Sequence, residues 1–312
     1  MTFAEDLEPP VFAPGTLWAR VQAATERALL GGALQPIATD ALYLPDGGIR
    51  FLVRIVRHLA RKPIASRRDA AATAARLNPF LPYESAMYVA DASPAHVCLL
   101  NKFNVVDHHL LIVTRAFEDQ QTPLGPQDFE ALWRCLAEYD GLGFYNSGVV
   151  AGASQPHKHL QLVPLPLDPS GVSLPVSPLI DAAEISGDAG RLESLPYPHA
   201  IAALPEDVVA TGPQRAADHT WNVYRRLLQA IGVKWPAAGA RFVESYNLLM
   251  TRRWMLAVPR VHECFASISC NAMAFAGVWL VRNERELELL QRHGSLAALR
   301  HVTGTSAGVP NA

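Results

Sequence analysis

The chain has 312 residues, 50% of them apolar, enough for one large core or two modest domains. Its 27 Lys and Arg against 29 Asp and Glu leave a formal charge of -2, and there is no long basic run. This argues against sequence-independent DNA or RNA binding but leaves room for small anionic ligands.

Four cysteines without a CxxC pair argue against a disulfide framework and for a reduced cytoplasm. The acidic, proline-interrupted start does not read as a signal peptide, and no run reaches the ~18 apolar residues of a membrane span, so a soluble, unexported protein is expected. Thr16 reads as the cap of a helix to Leu30, with Leu17, Val21, Ala24 and Ala28 along one face and Gly31-Gly32 ending it. Ile49 to Val56, Val97 to Val106 and Leu110 to Thr114 are rich in strand-forming residues and bounded by turn formers, which predicts three strands. Phe129, Leu132, Trp133 and Leu136 recur at helical spacing after a Gly-Pro start, predicting a helix over Gln127 to Tyr139. Phe144-Tyr145 reads as a short strand. Asn146 to Ser154 is small and glycine-bearing, and His157 to Leu165 is extended. Pro164 to Pro213 is punctuated by prolines and reads as a long surface connection with one short helix near Ile180 to Ala183. A helix over His219 to Ile231, strands over Tyr246 to Thr251 and Trp254 to Val258, and a charged helix over Glu284 to His293 complete the pattern. Runs of strands beside separate helices indicate an α+β fold.

The chemistry concentrates in His157-Lys158-His159-Leu160-Gln161. Strand alternation puts His157, His159 and Gln161 on one face and turns Lys158 and Leu160 toward the core. Upstream, Gly152-Ala153-Ser154-Gln155 offers a small-residue turn where backbone N–H groups can meet an oxyanion. A neutral imidazole beside such a turn can attack a phosphorus and hold a nucleotide covalently, splitting one displacement into two. The spacing also suits a metal, although Gln161 is a poor ligand, and a purely structural histidine pair is the other plain reading. Arg252 and Arg253 can neutralise a polyphosphate or simply cap a solvated hairpin, Lys102 can reach a phosphate or water, and His108-His109 read as turn formers.

Asn146 to Gln161, NSGVVAGASQPHKHLQ, resembles the active-site segment of the Ap4A phosphorylases, also called ATP adenylyltransferases, of the histidine triad superfamily. The likeness extends to Asn78-Pro79-Phe80-Leu81-Pro82-Tyr83, to the block from Asn101 to His109, and to Tyr246-Asn247-Leu248-Leu249 with Trp254-Met255. It implies a histidine-triad-like antiparallel sheet flanked by helices with an additional C-terminal α/β segment. The implied division is a catalytic region over 1–190 and a C-terminal region over 191–312, packed as one unit. It also implies reversible cleavage of Ap4A by phosphate to ATP and ADP, with His159 as nucleophile and His157 and Gln161 beside it. The implied substrate-binding positions are Lys62, Asp91, Asn146, Gly152, Ala153, Ser154, Gln155, Asn247, Thr251, Arg253 and Met255. No protein-bound cofactor is expected, although Mg²⁺ can accompany the polyphosphate. The expected partners are nucleotides and phosphate, with no nucleic acid and no membrane. A hydrolase of the same superfamily, a non-catalytic nucleotide sensor and a sugar-phosphate uridylyltransferase are the rival readings, and Gln161 in place of a third histidine argues against the hydrolase.

Overall fold

The structure is a computed structural model that describes residues 11–57, 78–168 and 170–305. The first ten strands are β1 (Thr39–Asp46), β2 (Ile49–Val56), β3 (Tyr88–Ser93), β4 (His96–Leu100), β5 (Leu110–Thr114), β6 (Gly141–Asn146), β7 (His159–Pro164), β8 (Ala200–Ala203), β9 (Ser245–Met250) and β10 (Trp254–Arg260). Eight of them form one sheet in the order β3-β4-β5-β7-β6-β9-β10-β8, antiparallel at every pairing. β1 and β2 pair with the Val278–Val281 strand in a second, three-stranded sheet whose β2 pairing is parallel. The expected helix-flanked antiparallel sheet is present, and strands from either side of residue 190 share it.

The two faces of the large sheet are covered differently. Helices Leu17–Leu30, Pro126–Glu138 and Pro213–Ala230 bury one face, where Ile112, Leu160, Leu162, Leu248 and Met255 meet Leu17, Leu132 and Tyr224. On the other face, Leu142, Phe144, Val163, Leu249 and Leu256 pack against Phe51, Val53, Phe275 and Trp279 from the second sheet and the C-terminal region. A separate small cluster, Phe80, Val97, Leu99, Leu111 and Val113 with Tyr83 and Tyr88 at its edge, covers the β4-β5 end. His159 and Gln161 lie on this second face, between the two clusters.

Several element bounds differ from the sequence pattern for identifiable reasons. The expected strand over Val97 to Val106 stops at Leu100 because Asn101 to His109 fold into a polar turn. There Asn101 N–H donates to His109 O, Asn104 Nδ2 donates to Val106 O, and His108 adopts a left-handed φ of 59°. The connection from Pro164 to Pro213 is mostly exposed over 181–191 but does not run over the surface throughout. Leu167, Leu174, Val176, Ile180, Leu195 and Tyr197 are buried, and β8 supplies the sheet's edge. These apolar residues anchor singly, so they carry no periodicity for a sequence reading to detect. Thr16 precedes the first helix as expected, but its hydroxyl donates back to Ala13 O. The helix start is capped by Glu138, whose carboxylate accepts from Gly15 and Leu17 N–H.

Candidate active site

His159 opens β7 and is 4% exposed. Its Nδ1 lies 2.7 Å from the carbonyl oxygen of His157. A carbonyl can only accept, so Nδ1 carries the proton and the lone pair resides on Nε2. Nε2 meets no hydrogen-bond partner among the described residues. Burial pushes the ring's pKa down to about 4 against the weaker opposing pull of the His157 carbonyl, so the imidazole is neutral at physiological pH.

His157 is fully buried and has no free nitrogen. Nε2–H donates to Thr114 O at 2.8 Å with Ala116 O at 3.1 Å, and Nδ1 accepts from Asn78 Nδ2 at 2.9 Å. It therefore faces protein on both sides, and its contact with His159 runs through its main chain. The rings of Phe80 and Phe117 pack beside it, and Phe80 also lies 5.5 Å from the His159 ring.

Gln161 lies two residues further along the same face. Its Oε1 is 3.0 Å from His109 Nε2, and His109 Nδ1 is 3.1 Å from Asn101 Nδ2. The Asn101 amide donates to Nδ1, so His109 Nε2–H donates to Gln161 Oε1 and leaves the Gln161 NH₂ group without an acceptor among the described residues. Burial lowers the His109 pKa to about 4, which keeps this tautomer uncharged. The sequence reading of His108-His109 as turn formers holds for His108, whose Nδ1 meets Thr25 Oγ1. His109 belongs to the site, and a signal for it was present: it shares the alternation of Leu111 and Val113 on β5, and β5 pairs with β7 at Leu111 and Gln161.

Between β6 and β7 the ladder ends at the Phe144–Gln161 pair. One step on, the side chain of Gln120 inserts between Asn146 and His159. Its Oε1 accepts from His159 N–H at 2.9 Å, and its Nε2 donates to Asn146 O at 3.0 Å and His159 O at 3.2 Å. The sequence offered no sign of this residue. On the opposite face Lys158 is buried, with Nζ 2.7 Å from Asp128 and 3.0 Å from Glu118, so the strand is anchored from behind by an ion pair as well as by Leu160.

The glycine-bearing segment leaves β6 at Asn146. Gly148 and Gly152 have φ of 82° and 88° around the short Val149–Ala151 turn, and a Cβ on Gly152 would lie 2.6 Å from Cys270 O. Gly152 and Ala153 N–H bond back to Val149 and Gly148 carbonyls and are not available to an anion. Ser154 and Gln155 N–H have no protein acceptor among the described residues, and the Gln155 Oε1 is buried without a partner. Asn146 Oδ1 accepts from Asn247 Nδ2 and Ala272 N–H, which turns its NH₂ group away from both and leaves it without an acceptor among the described residues.

The other expected positions fall in different places. Asp91 shares a row across the sheet with Val97, Val113 and His159 on one face, three strand spacings or roughly 14 Å from the histidine. Its carboxylate is held by Arg115 and the Tyr88 hydroxyl. Asn247 is fully buried with both amide groups engaged inside the protein, so it supports Asn146 instead of facing a ligand. Thr251 and Arg253 lie at the opposite end of the strands from His159, where the Thr251 hydroxyl caps the hairpin and Arg253 pairs with Asp181. Arg252 donates to the carbonyls of Leu136 and Ala137 at a helix C-terminus. Met255 points into the helix-side core, away from His159, and Lys102 pairs with Glu84. The strand alternation that put Asn247 on the site face puts Met255 on the other. Lys62 lies outside the described residues. No group of three metal-ligating side chains occurs among the described residues, and no helix among them is long and apolar enough to cross a membrane.

Residues 8–182 match the family model of the Ap4A phosphorylase N-terminal domain, and residues 193–305 match that of the ATP adenylyltransferase C-terminal domain. The chain is 26% identical over 269 residues to diadenosine 5',5'''-P1,P4-tetraphosphate phosphorylase 2 of Saccharomyces cerevisiae, spanning 79% of this chain and 80% of that protein. Protein APA1 of the same yeast is 27% identical over 213 residues, spanning 61% of this chain and 62% of that protein. The crystal structure of yeast Ap4A phosphorylase in complex with Ap4A superposes with a TM-score of 0.74 at 23% identity, covering 93% of this chain and 97% of that one. The chain thus belongs to the Ap4A phosphorylase family, whose N-terminal and C-terminal regions it carries in order.

Proposed function

We propose that the chain catalyses the reversible reaction of Ap4A with phosphate to give ATP and ADP, through an adenylyl group carried on His159. The observation that carries this reading is the His159 ring: Nδ1 is tied to the His157 carbonyl, and Nε2 is left with its lone pair uncommitted among the described residues.

In the forward direction Nε2 attacks an α-phosphorus of Ap4A. The N–P bond forms as the bond to the bridging oxygen breaks, and ATP leaves with that electron pair. The Nδ1–H bond to the His157 carbonyl stabilises the positive charge that develops on the ring. An oxygen of inorganic phosphate then attacks the same phosphorus, the P–N bond breaks, ADP leaves, and neutral imidazole is restored. The amide NH₂ groups of Gln161 and Asn146 and the N–H groups of Ser154 and Gln155 are the donors assigned to the phosphoryl oxygens. Mg²⁺ enters this reading with the polyphosphate, bound to substrate and not resident in the protein. A cytoplasmic location is part of the same reading, supported by four cysteines that are all free thiols.

The test is incubation with Ap4A labelled at the α-phosphates, with and without phosphate. The expected outcome is continued turnover to ATP and ADP only when phosphate is present, one labelled nucleotide on the enzyme with an equal amount of ATP released when it is absent, and no label on His159→Ala. AMP and ATP formed at full rate without phosphate would overturn the phosphorylase reading.

A further inference from the structure

Behind the glycine-bearing loop lies a buried cation to which nothing above gives a role. Arg260, the last residue of β10, is 4% exposed, and its guanidinium donates only to neutral oxygens in the hydrogen bonds of the described structure. NH1 donates to Asn247 Oδ1 at 2.6 Å and reaches Ala151 O at 3.3 Å. NH2 donates to the carbonyls of His262 and Glu263 at 2.8 and 3.1 Å, and the group lies 5.6 Å from the ring centre of Phe275. Burial lowers its pKa, partly offset by Cys270, Cys264 and Glu263, yet an arginine remains charged there.

The bonds from Arg260 lead to the reactive face. With its Oδ1 on Arg260, Asn247 can turn only Nδ2 toward Asn146 Oδ1 and Ala151 O, both at 2.8 Å. Asn146 Oδ1 accepts a second bond from Ala272 N–H at 3.0 Å, so its amide cannot flip without losing two donors. The sequence of bonds fixes which end of Asn146 is left without a partner among the described residues, and it sets a positive charge directly against the Ala151 carbonyl of the turn. Burying a charge is costly, and a neutral hydrogen-bonding side chain could orient Asn247 equally well.

We propose that Arg260 is a positioning residue for the phosphate end of the nucleotide. Through Asn247 it orients the Asn146 amide and the Val149–Ala151 turn, and its buried charge raises affinity for the anionic part of the ligand without touching it. This rests on the function proposed above. A role confined to stability would weaken binding of a charged and an uncharged ligand alike, whereas this role separates them.

The experiment measures binding of AMP and of adenosine by calorimetry to the full chain and to Arg260→Met, Arg260→Lys and Asn247→Asp. Asn247→Asp is close to isosteric and keeps the acceptor for Arg260, so it tests the orientation even where Arg260→Met folds poorly. The AMP dissociation constant is expected to rise tenfold or more in Arg260→Met and Asn247→Asp and less in Arg260→Lys, with adenosine within twofold of the parent throughout. AMP affinity within twofold of the parent in a folded Arg260→Met or Asn247→Asp, or equal losses for AMP and adenosine, would overturn the proposal. A parent protein that binds neither ligand would instead remove the functional reading on which it rests.

Discussion

Lowering the pH tests the His159 assignment most directly. The ring's pKa stands at about 4 against an ordinary value of 6.5, because burial penalises the imidazolium more than the His157 carbonyl favours it. That gap is worth roughly 3 kcal/mol of preference for the neutral ring in the folded protein. At pH 5.5 an ordinary imidazole is about one-tenth neutral, whereas a ring titrating near 4 is roughly nine-tenths neutral or more, so the expected rates differ by about tenfold. Formation of the adenylyl enzyme, followed in a single turnover from α-phosphate-labelled Ap4A, should hold nearly level from pH 8 to about 5 and fall below that. Stability moves over a wider window. The unfolded chain binds the extra proton first, so the folded state loses stability as pH drops from about 6.5 toward 4, and His109 adds to the loss with the same sign. A labelling rate that halves near pH 6.5 would refute the picture of a buried ring kept neutral by its surroundings.

Three substitutions probe the supporting contacts. His109→Phe keeps a ring beside Phe144 but removes the donor to Gln161 Oε1; kcat for phosphorolysis should fall roughly ten- to hundredfold by steady-state assay, with a thermal midpoint close to the parent's. Asp128→Asn leaves the buried Lys158 ammonium without its 2.7 Å partner and should cost roughly 3 to 5 kcal/mol in urea unfolding. The Asp128 pKa is pushed up by burial but held below its ordinary value by His96 and Lys158. Its contribution should therefore be present at neutral pH and disappear as pH falls through the carboxylate range. Gly152→Ala places a Cβ 2.6 Å from Cys270 O at a φ of 88°, which should displace the loop, suppress labelling of His159 and cost about 1 to 3 kcal/mol in thermal unfolding.

The sequence made the short-range features legible. β2 and β5 and the Glu284–His293 helix follow directly from local pattern, and strand alternation places His159 and Gln161 together on the side opposite Leu160 and Leu162. Contacts made by residues distant in sequence were much harder to read. Gln120 reaches His159 across 39 positions, and Arg260 reaches Ala151 across 109, so no spacing rule points to either. The expectation for Thr251, Arg253 and Met255 failed by direction: continuing past Asn247 along β9 leads away from His159, and Met255 returns on the other face. The glycine-bearing turn was found, but which of its N–H groups stay free depends on how tightly the Val149–Ala151 turn winds, and small residues permit several answers.

Saturation of the groups around His159 bears on the choice between phosphate and water as acceptor. Water attacking the adenylyl group needs a base to take its proton, whereas inorganic phosphate arrives as an anion and attacks without one. Among the described residues, the imidazoles nearest His159 do not supply that base. His157 spends Nε2 on backbone carbonyls and Nδ1 on Asn78, and His109 is committed to Asn101 and Gln161. Gln161, the remaining neighbour on the strand, carries an amide that does not titrate. A face that offers amide donors and keeps its basic nitrogens occupied favours an acceptor that brings its own negative charge. The amides proposed for the transferred phosphoryl group also suit the approach of a second phosphate, and in that reading Gln161 is tied to the phosphorolytic outcome by chemistry as well as by position.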